Sequence, residues 1–413
     1  MHVLLVTSGS TGDVAPFTGL GVRLRQAGHE VTVATHERFT GLIRSCGLGF
    51  RRLPLDPLDM HEACARKLPG RADGPLGTLT IAKQGTVYAA DLAHGILQAA
   101  RQGADVLVAS GQTALPAKAV ADGLGIPSLG ALLQPVAPTG AFAPMALGRR
   151  SAGRLGNRFL SGALWRAFHR QAASTVQWVR AELGLPPLNR TARRRLAADW
   201  PIWYGFSPHV VPRPADWPPE HRLSGYWWPE EPTGWKPDPR LTDFLAAGPP
   251  PVFIGFGSMP SPRSGQLSDV CAEALRRAGV RGVVQAGWSG LEARGDDILA
   301  VGEVSHQWLF PRTAAVVHHG GGGTTAAGLR AGVPAVPVPV FYDQPFWATR
   351  LRALGVAPGV LPMADVTAER LASLIVRAVR EPAWRARATG IRSALSTEDG
   401  TDPVIKAVEA LPR

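Results

Sequence analysis

The segment from Ala315 to Thr325, AVVHHGGGGTT, constrains this chain more than any other. Its short β-branched run reads as a buried strand, with His318 and His319 at the carboxyl end. Gly320, Gly321, Gly322 and Gly323 follow as a loop, and Thr324 and Thr325 open an Ala- and Leu-rich helix. Such a junction presents unpaired backbone N–H groups and the positive end of a helix dipole, a setting that favours phosphate. Four consecutive glycines carry a backbone entropy cost that a casual turn does not need, and they let a ligand approach the main chain. The next strand, expected over Ala335–Val340, runs into Phe341-Tyr342-Asp343-Gln344-Pro345. A carboxylate and an amide at a strand's carboxyl end face the crevice of a parallel sheet and suit sugar hydroxyls.

The rest of the chain supplies the same rhythm twice. Val3–Val6 reads as a strand, Thr7–Val14 as a loop, Phe17–Ala27 as a helix and Val31–Ala34 as a second strand. Later strands are expected over Asp105–Ala109 and Pro127–Leu132, and 150–185 is helical in pattern. Pro and Trp crowd together from 208 to 250, as in GYWWPEEPTGWKPDP, which reads as a linker with a few extended pieces. A second alternation then begins with a strand over Val252–Phe256, a helix over Gln266–Ala278 and a strand over Gly282–Gln285. The tail from Trp384 is helical with a break at EDGTDP. Periodicity alone therefore gives two α/β domains with parallel sheets, and 413 residues exceed what one core usually serves.

Composition excludes more than it assigns. The charge of +12 comes mostly from arginine, with only five lysines, and no basic block is interleaved with aromatics as in nucleic-acid binders. Cys46, Cys64 and Cys271 share no metal or redox spacing, which points to a reducing cytoplasm. No charged leader precedes the first strand, and no long apolar run reads as a membrane span. The basic segment 148–170, GRRSAGRLGNRFLSGALWRAFHR, reads either as a solvated face or as a surface for weak peripheral membrane contact.

The loop GSTGDVAPF, Gly9–Phe17, stands where an open parallel sheet binds ligands. Asp13 has two readings there. It caps the first helix, with Pro16 in the first turn, or it is a general base taking the proton of an attacking hydroxyl. Ser10, Thr11 and Gly12 share the loop and are candidates for contact with phosphate or acceptor. Thr35-His36 ends the second strand and reads as structural.

HHGGGGTTAAGL followed by DQPFW, together with GSTGDVAP, resembles the signature of family 1 glycosyltransferases, in the branch with sterol glucosyltransferases and bacterial natural-product glycosyltransferases. The resemblance implies the GT-B fold, two facing Rossmann-like domains with a cleft between them. On that basis 1–207 is an acceptor-binding domain, 208–250 a linker and 251–383 a nucleotide-sugar domain, and a helix in 384–413 crosses back to the first. It implies an inverting, metal-independent transfer from UDP-glucose or a dTDP-sugar to a lipophilic hydroxyl compound, with no bound cofactor. Asp13 is then the base and His318 a donor to the diphosphate. Gly320, Gly322, Gly323 and Thr324 hold phosphate, Asp343 and Gln344 hold the sugar, and Ser258 and Gln307 complete the donor site. His319 fixes the loop. Two departures leave uridine against thymidine open: Ala326 where relatives carry a ribose-binding Glu, and Val304 where many stack the base on Trp. The protein is expected as a monomer or homodimer. The alternative is a non-catalytic sugar-nucleotide-binding helper of a partner transferase.

Overall fold

Strand β1 (His2–Val6) shows how the first half is built. Its side chains alternate between two faces. Val3 and Leu5 pack with Phe17 and Leu20, whereas Leu4 and Val6 pack with Leu92 and Ile96 on the other side. A strand buried on both faces needs cover on both, which is the condition for a parallel sheet. The computed structural model describes residues 1–54, 56, 89–145, 151–187, 200–257, 264–287, 290–292 and 295–412. Ser258, Cys64 and the start of the basic segment, 148–150, lie outside the described residues.

The first sheet has seven strands in the order β3-β2-β1-β4-β5-β6-β7. These are β2 (Glu30–Thr35), β3 (Gly49–Arg52), β4 (Val106–Ala109), β5 (Ser128–Leu132), β6 (Ile202–Tyr204) and β7 (His221–Leu223) around β1. The second has five, in the order β10-β9-β8-β11-β12. They are β8 (Val252–Gly255), β9 (Gly282–Gln285), β10 (Ile298–Val301), β11 (Ala315–His318) and β12 (Ala335–Pro337). Every described pairing is parallel. Strand order reverses between β1 and β4 in one sheet and between β8 and β11 in the other. Those are the positions where a doubly wound sheet opens a crevice at its carboxyl end.

Two of the departures from the expected bounds have local causes. The first helix, α1, runs Thr11–Gln26 and starts six residues early. Ser10 takes the cap position, so the loop shrinks to Thr7–Ser10 and Pro16 falls inside the helix rather than in its first turn. Strand β12 ends at Pro337 instead of Val340, because prolines at 337 and 339 remove ladder donors.

The Pro- and Trp-rich stretch is built into both halves. It carries β7 of the first sheet, and its helix Pro239–Ala246 buries Leu241 against Phe253 of the second. Trp347 and Phe346 of the second half pack on Phe206 and Phe142 of the first, with ring centroids 6.0 and 5.1 Å apart. Arg350 adds two hydrogen bonds, 2.9 and 2.6 Å, to the Val210 carbonyl. After the helix Pro382–Leu395 the chain returns to the first half. Val404 and Val408, in the helix Asp402–Glu409, are buried with Val3, Leu5 and Phe17.

Candidate active site

The carboxyl ends of β1 and β11 bring the two singled-out loops to one place. A Cβ built on Gly323, at the start of the glycine-loop helix (Gly322–Ala331), would stand 3.8 Å from the Cα of Gly12 in α1. Two helix N-termini therefore meet across the crevice, and their unpaired N–H groups and dipoles add.

Asp13 is the third residue of α1. Its Oδ2 accepts from the Ser10 N–H at 2.8 Å and from the Ser10 hydroxyl at 3.1 Å. This is a capping box, with Ser10 as cap and Asp13 reaching back. Asp13 is thus not itself the cap, one of the two roles its sequence context allowed. Its other oxygen, Oδ1, accepts a long bond, 3.5 Å, from Gln134 Nε2. Burial raises the Asp13 carboxyl above the ordinary carboxylate range, against the lowering effect of the Ser10 bonds, Gln134 and the Arg38 charge. Ser10 touches this carboxylate, and Thr11 and Gly12, which follow it in the chain, are exposed. His36 bonds Ser8 through Nε2 at 2.8 Å within the buried base of the loop.

On the opposite side, His318 ends β11 and is 1% exposed. Its Nδ1 accepts from the Gly320 N–H at 3.1 Å, so the hydrogen of the neutral ring sits on Nε2. Burial, with the neighbouring His319 and His306, pushes its pKa down to about 3, which makes it a neutral donor at physiological pH. Gly320 has φ 84°, and an added Cβ would lie 3.0 Å from the Gln344 carbonyl, so only glycine fits. The His319 ring fills the space that a side chain at Gly257 or Gly321 would need. Thr324 is partly exposed beside the exposed Gly323, while the Thr325 hydroxyl is buried without a hydrogen-bond partner among the described residues.

Asp343 and Gln344 are 9% and 7% exposed. Gln344 Oε1 accepts from the Val340 N–H at 2.8 Å and the Phe341 N–H at 3.3 Å, which braces the turn after β12. Asp343 Oδ2 accepts from Trp347 Nε1 at 3.0 Å. Burial pushes the Asp343 pKa up to about 6; the Trp347 bond opposes this and the charge of Asp13 adds to it. The two carboxylates thus act on each other from opposite halves of the molecule. Gln307 is placed elsewhere. It is exposed and accepts from Arg330 at 2.9 Å, in the last turn of the glycine-loop helix rather than at its glycine end.

Several residues at this site carry no sequence assignment. Gln134 follows β5 at its carboxyl end, a position that strand order alone marks. Trp347 lies within the DQPFW motif and links Asp343 to Phe206 of the other half. Tyr342 is, among the described residues, the one non-glycine residue in the left-handed region, at φ 58°. Val340, Phe341 and Tyr342 are 45, 59 and 55% exposed beside Asp343. Among the described residues no group of three or more His, Cys, Asp and Glu side chains could hold a metal ion.

Comparisons with known proteins agree with this layout. Residues 3–109 match the glycosyltransferase family 28 N-terminal domain, and residues 284–411 match the erythromycin biosynthesis protein CIII-like C-terminal domain. The chain is 38% identical to O-mycaminosyltylonolide 6-deoxyallosyltransferase of Streptomyces fradiae, over 99% of this chain and 97% of the relative. It is 31% identical to a sterol 3-beta-glucosyltransferase of Arabidopsis thaliana, over 98% of this chain but only 65% of that longer protein. Among solved structures, the glycosyltransferase VinC in complex with dTDP superposes with a TM-score of 0.69, at 20% identity, over 99% of both chains.

Proposed function

The chain belongs to the GT-B glycosyltransferases, nucleotide-sugar hexosyltransferases that act on small-molecule acceptors, and we propose that it works by an inverting single displacement with Asp13 as general base. The observation that carries this reading is the approach of the two helix N-termini, which sets Asp13 opposite the glycine loop. In the proposed reaction the acceptor hydroxyl gives its proton to Asp13 as its oxygen bonds to the anomeric carbon. The bond from that carbon to the diphosphate oxygen breaks, and the nucleoside diphosphate leaves with the electron pair. A carboxyl held above the ordinary range by burial is a stronger base than a solvated one.

The leaving group builds negative charge where the Gly320–Thr325 loop presents N–H groups and the helix dipole. The His318 Nε2–H and the Thr324 hydroxyl add donors, so the reading needs no metal ion. Asp343 and Gln344 are assigned to the sugar, and Ser258 to the diphosphate. A relative solved with dTDP and another named as a glucosyltransferase support dTDP- or UDP-linked hexose as donor. The apolar strip Val340–Tyr342 beside Asp343 supports a lipophilic alcohol or phenol as acceptor, in keeping with relatives named for a tylonolide and for sterols. The free buried thiols of Cys46 and Cys271 suit a cytoplasmic setting.

The test is a panel of sterols, macrolactones and phenols offered with UDP-glucose and dTDP-sugars, read by mass spectrometry, with the product's anomeric configuration read by NMR. An α-linked donor is expected to give a β-glycoside, unaffected by EDTA. Retention of configuration would overturn the single displacement, and dependence on added Mg²⁺ would overturn the metal-free donor site.

A further inference from the structure

The long helix Gly153–Glu182 is charged on one sign. It carries Arg154, Arg158, Arg166, Arg170 and Arg180, and Glu182 at its last position is its one acidic residue. Leu155 is 84% and Phe159 69% exposed, the two most exposed large apolar side chains among the described residues. Residues four apart share a helix face, so these two stand together. Arg166 and Arg170 continue that side, with Arg154 and Arg158 alongside, and all four are exposed.

The patch is held firmly. Arg158 bonds Asp216 at 2.8 Å, and Asp216 also accepts from the Thr139 hydroxyl at 2.6 Å and the Gly140 N–H at 2.8 Å. Ser161 Oγ bonds the Thr139 carbonyl at 3.1 Å. Two residues beyond Gly140, Phe142 packs on Phe346 of the second half. The exposed Leu and Phe therefore sit on a fixed platform beside the junction of the two domains.

We propose that this face docks the protein on an anionic phospholipid bilayer, with Leu155 and Phe159 entering between headgroups and Arg154, Arg166 and Arg170 meeting lipid phosphates. A basic face turned to water has no use for two large apolar side chains at its centre. A second copy of the chain fits poorly, because a symmetric contact would set the same arginines against each other. A bilayer with anionic headgroups satisfies both features at once. Among the described residues no helix is long and apolar enough to cross a membrane, so the contact is peripheral.

The experiment sediments the full chain with vesicles of mixed phosphatidylcholine and phosphatidylglycerol, and with phosphatidylcholine alone. Binding is expected to the mixed vesicles only and to weaken as salt rises. The Leu155→Glu/Phe159→Glu double variant keeps every arginine and is expected to bind ~10-fold more weakly or less. An Arg166→Glu/Arg170→Glu variant should lose binding to a similar extent. Circular dichroism and nucleotide affinity of both variants should match the parent, which separates a lost surface from a lost fold. Equal binding by the Leu155/Phe159 variant would reduce the effect to adsorption of a basic protein and overturn the proposal. So would absence of parent binding to mixed vesicles, or light scattering showing a dimer that the same substitutions dissociate. No turnover is measured, so the outcome is independent of the transfer reaction.

Discussion

Asp343 joins stability to pH at a single side chain. In the unfolded chain an aspartate titrates near 4, whereas burial pushes Asp343 up to about 6 in the folded protein. Folding therefore favours its protonated form. That contribution is present in full below about pH 4 and is lost as pH rises through about 6. The difference corresponds to at most about 3 kcal/mol. Asp343→Asn keeps an oxygen for Trp347 Nε1 and removes the buried charge. The variant is expected to melt higher than the parent well above pH 6, with the difference shrinking towards pH 4, when both are followed by thermal unfolding. A constant difference across that window would mean that the carboxylate is not held in the shifted state. The same substitution should impair sugar transfer while leaving free nucleotide affinity nearly intact. The residues at this site are legible because their types sit in motifs, but their bonding is not. From its context alone Asp13 reads as a cap or as a base, and only the structure shows Ser10 taking the cap.

At the scale of elements, the glycine loop is a shape requirement as much as a binding one. Gly320→Ala places a Cβ at φ 84° and against the Gln344 carbonyl. It is expected to cost about 1–3 kcal/mol of stability. It should also weaken UDP or dTDP binding, because it displaces the N–H groups between β11 and the following helix. Denaturant unfolding and calorimetry read the two effects; unchanged nucleotide affinity in a folded variant would put the diphosphate elsewhere. Elements such as β9 and the helix ending at Ala278 were legible because β-branched runs and amphipathic periodicity are local signals. The loop before α1 is shorter than the sequence suggests because Pro16 looks like a first-turn proline, and which residue caps a helix depends on hydrogen bonds that spacing does not reveal. β7 reads in the sequence only as an unspecified extended piece of the Pro- and Trp-rich stretch, since its pairing with β6 leaves no local trace.

Over the whole molecule, the two halves are joined by ring contacts around Trp347 and by the returning C-terminal helix. Val404 and Val408 lie at the far end of the chain, yet they are buried with β1 and α1. A Val404→Ala/Val408→Ala variant should lose about 2–5 kcal/mol. Hydrogen exchange should rise in β1 and α1 rather than in the second sheet from which the tail comes. Exchange rising only in the second sheet would contradict the packing. Two α/β domains follow from alternation alone. Their mutual approach, which sets Gly12 beside Gly323, is a property of the interface and has no local signature.

If Asp13 takes the acceptor's proton across the cleft from a nucleotide held on the glycine loop, Asp13→Asn removes the base and leaves the nucleotide site intact. The amide keeps an oxygen for the Ser10 N–H, so the start of α1 should survive. With the best acceptor from the panel, nucleotide affinity by calorimetry should be unchanged while turnover falls ~100-fold or more. Comparable turnover in a folded variant that binds nucleotide normally would contradict the account and leave Asp13 as half of a capping box.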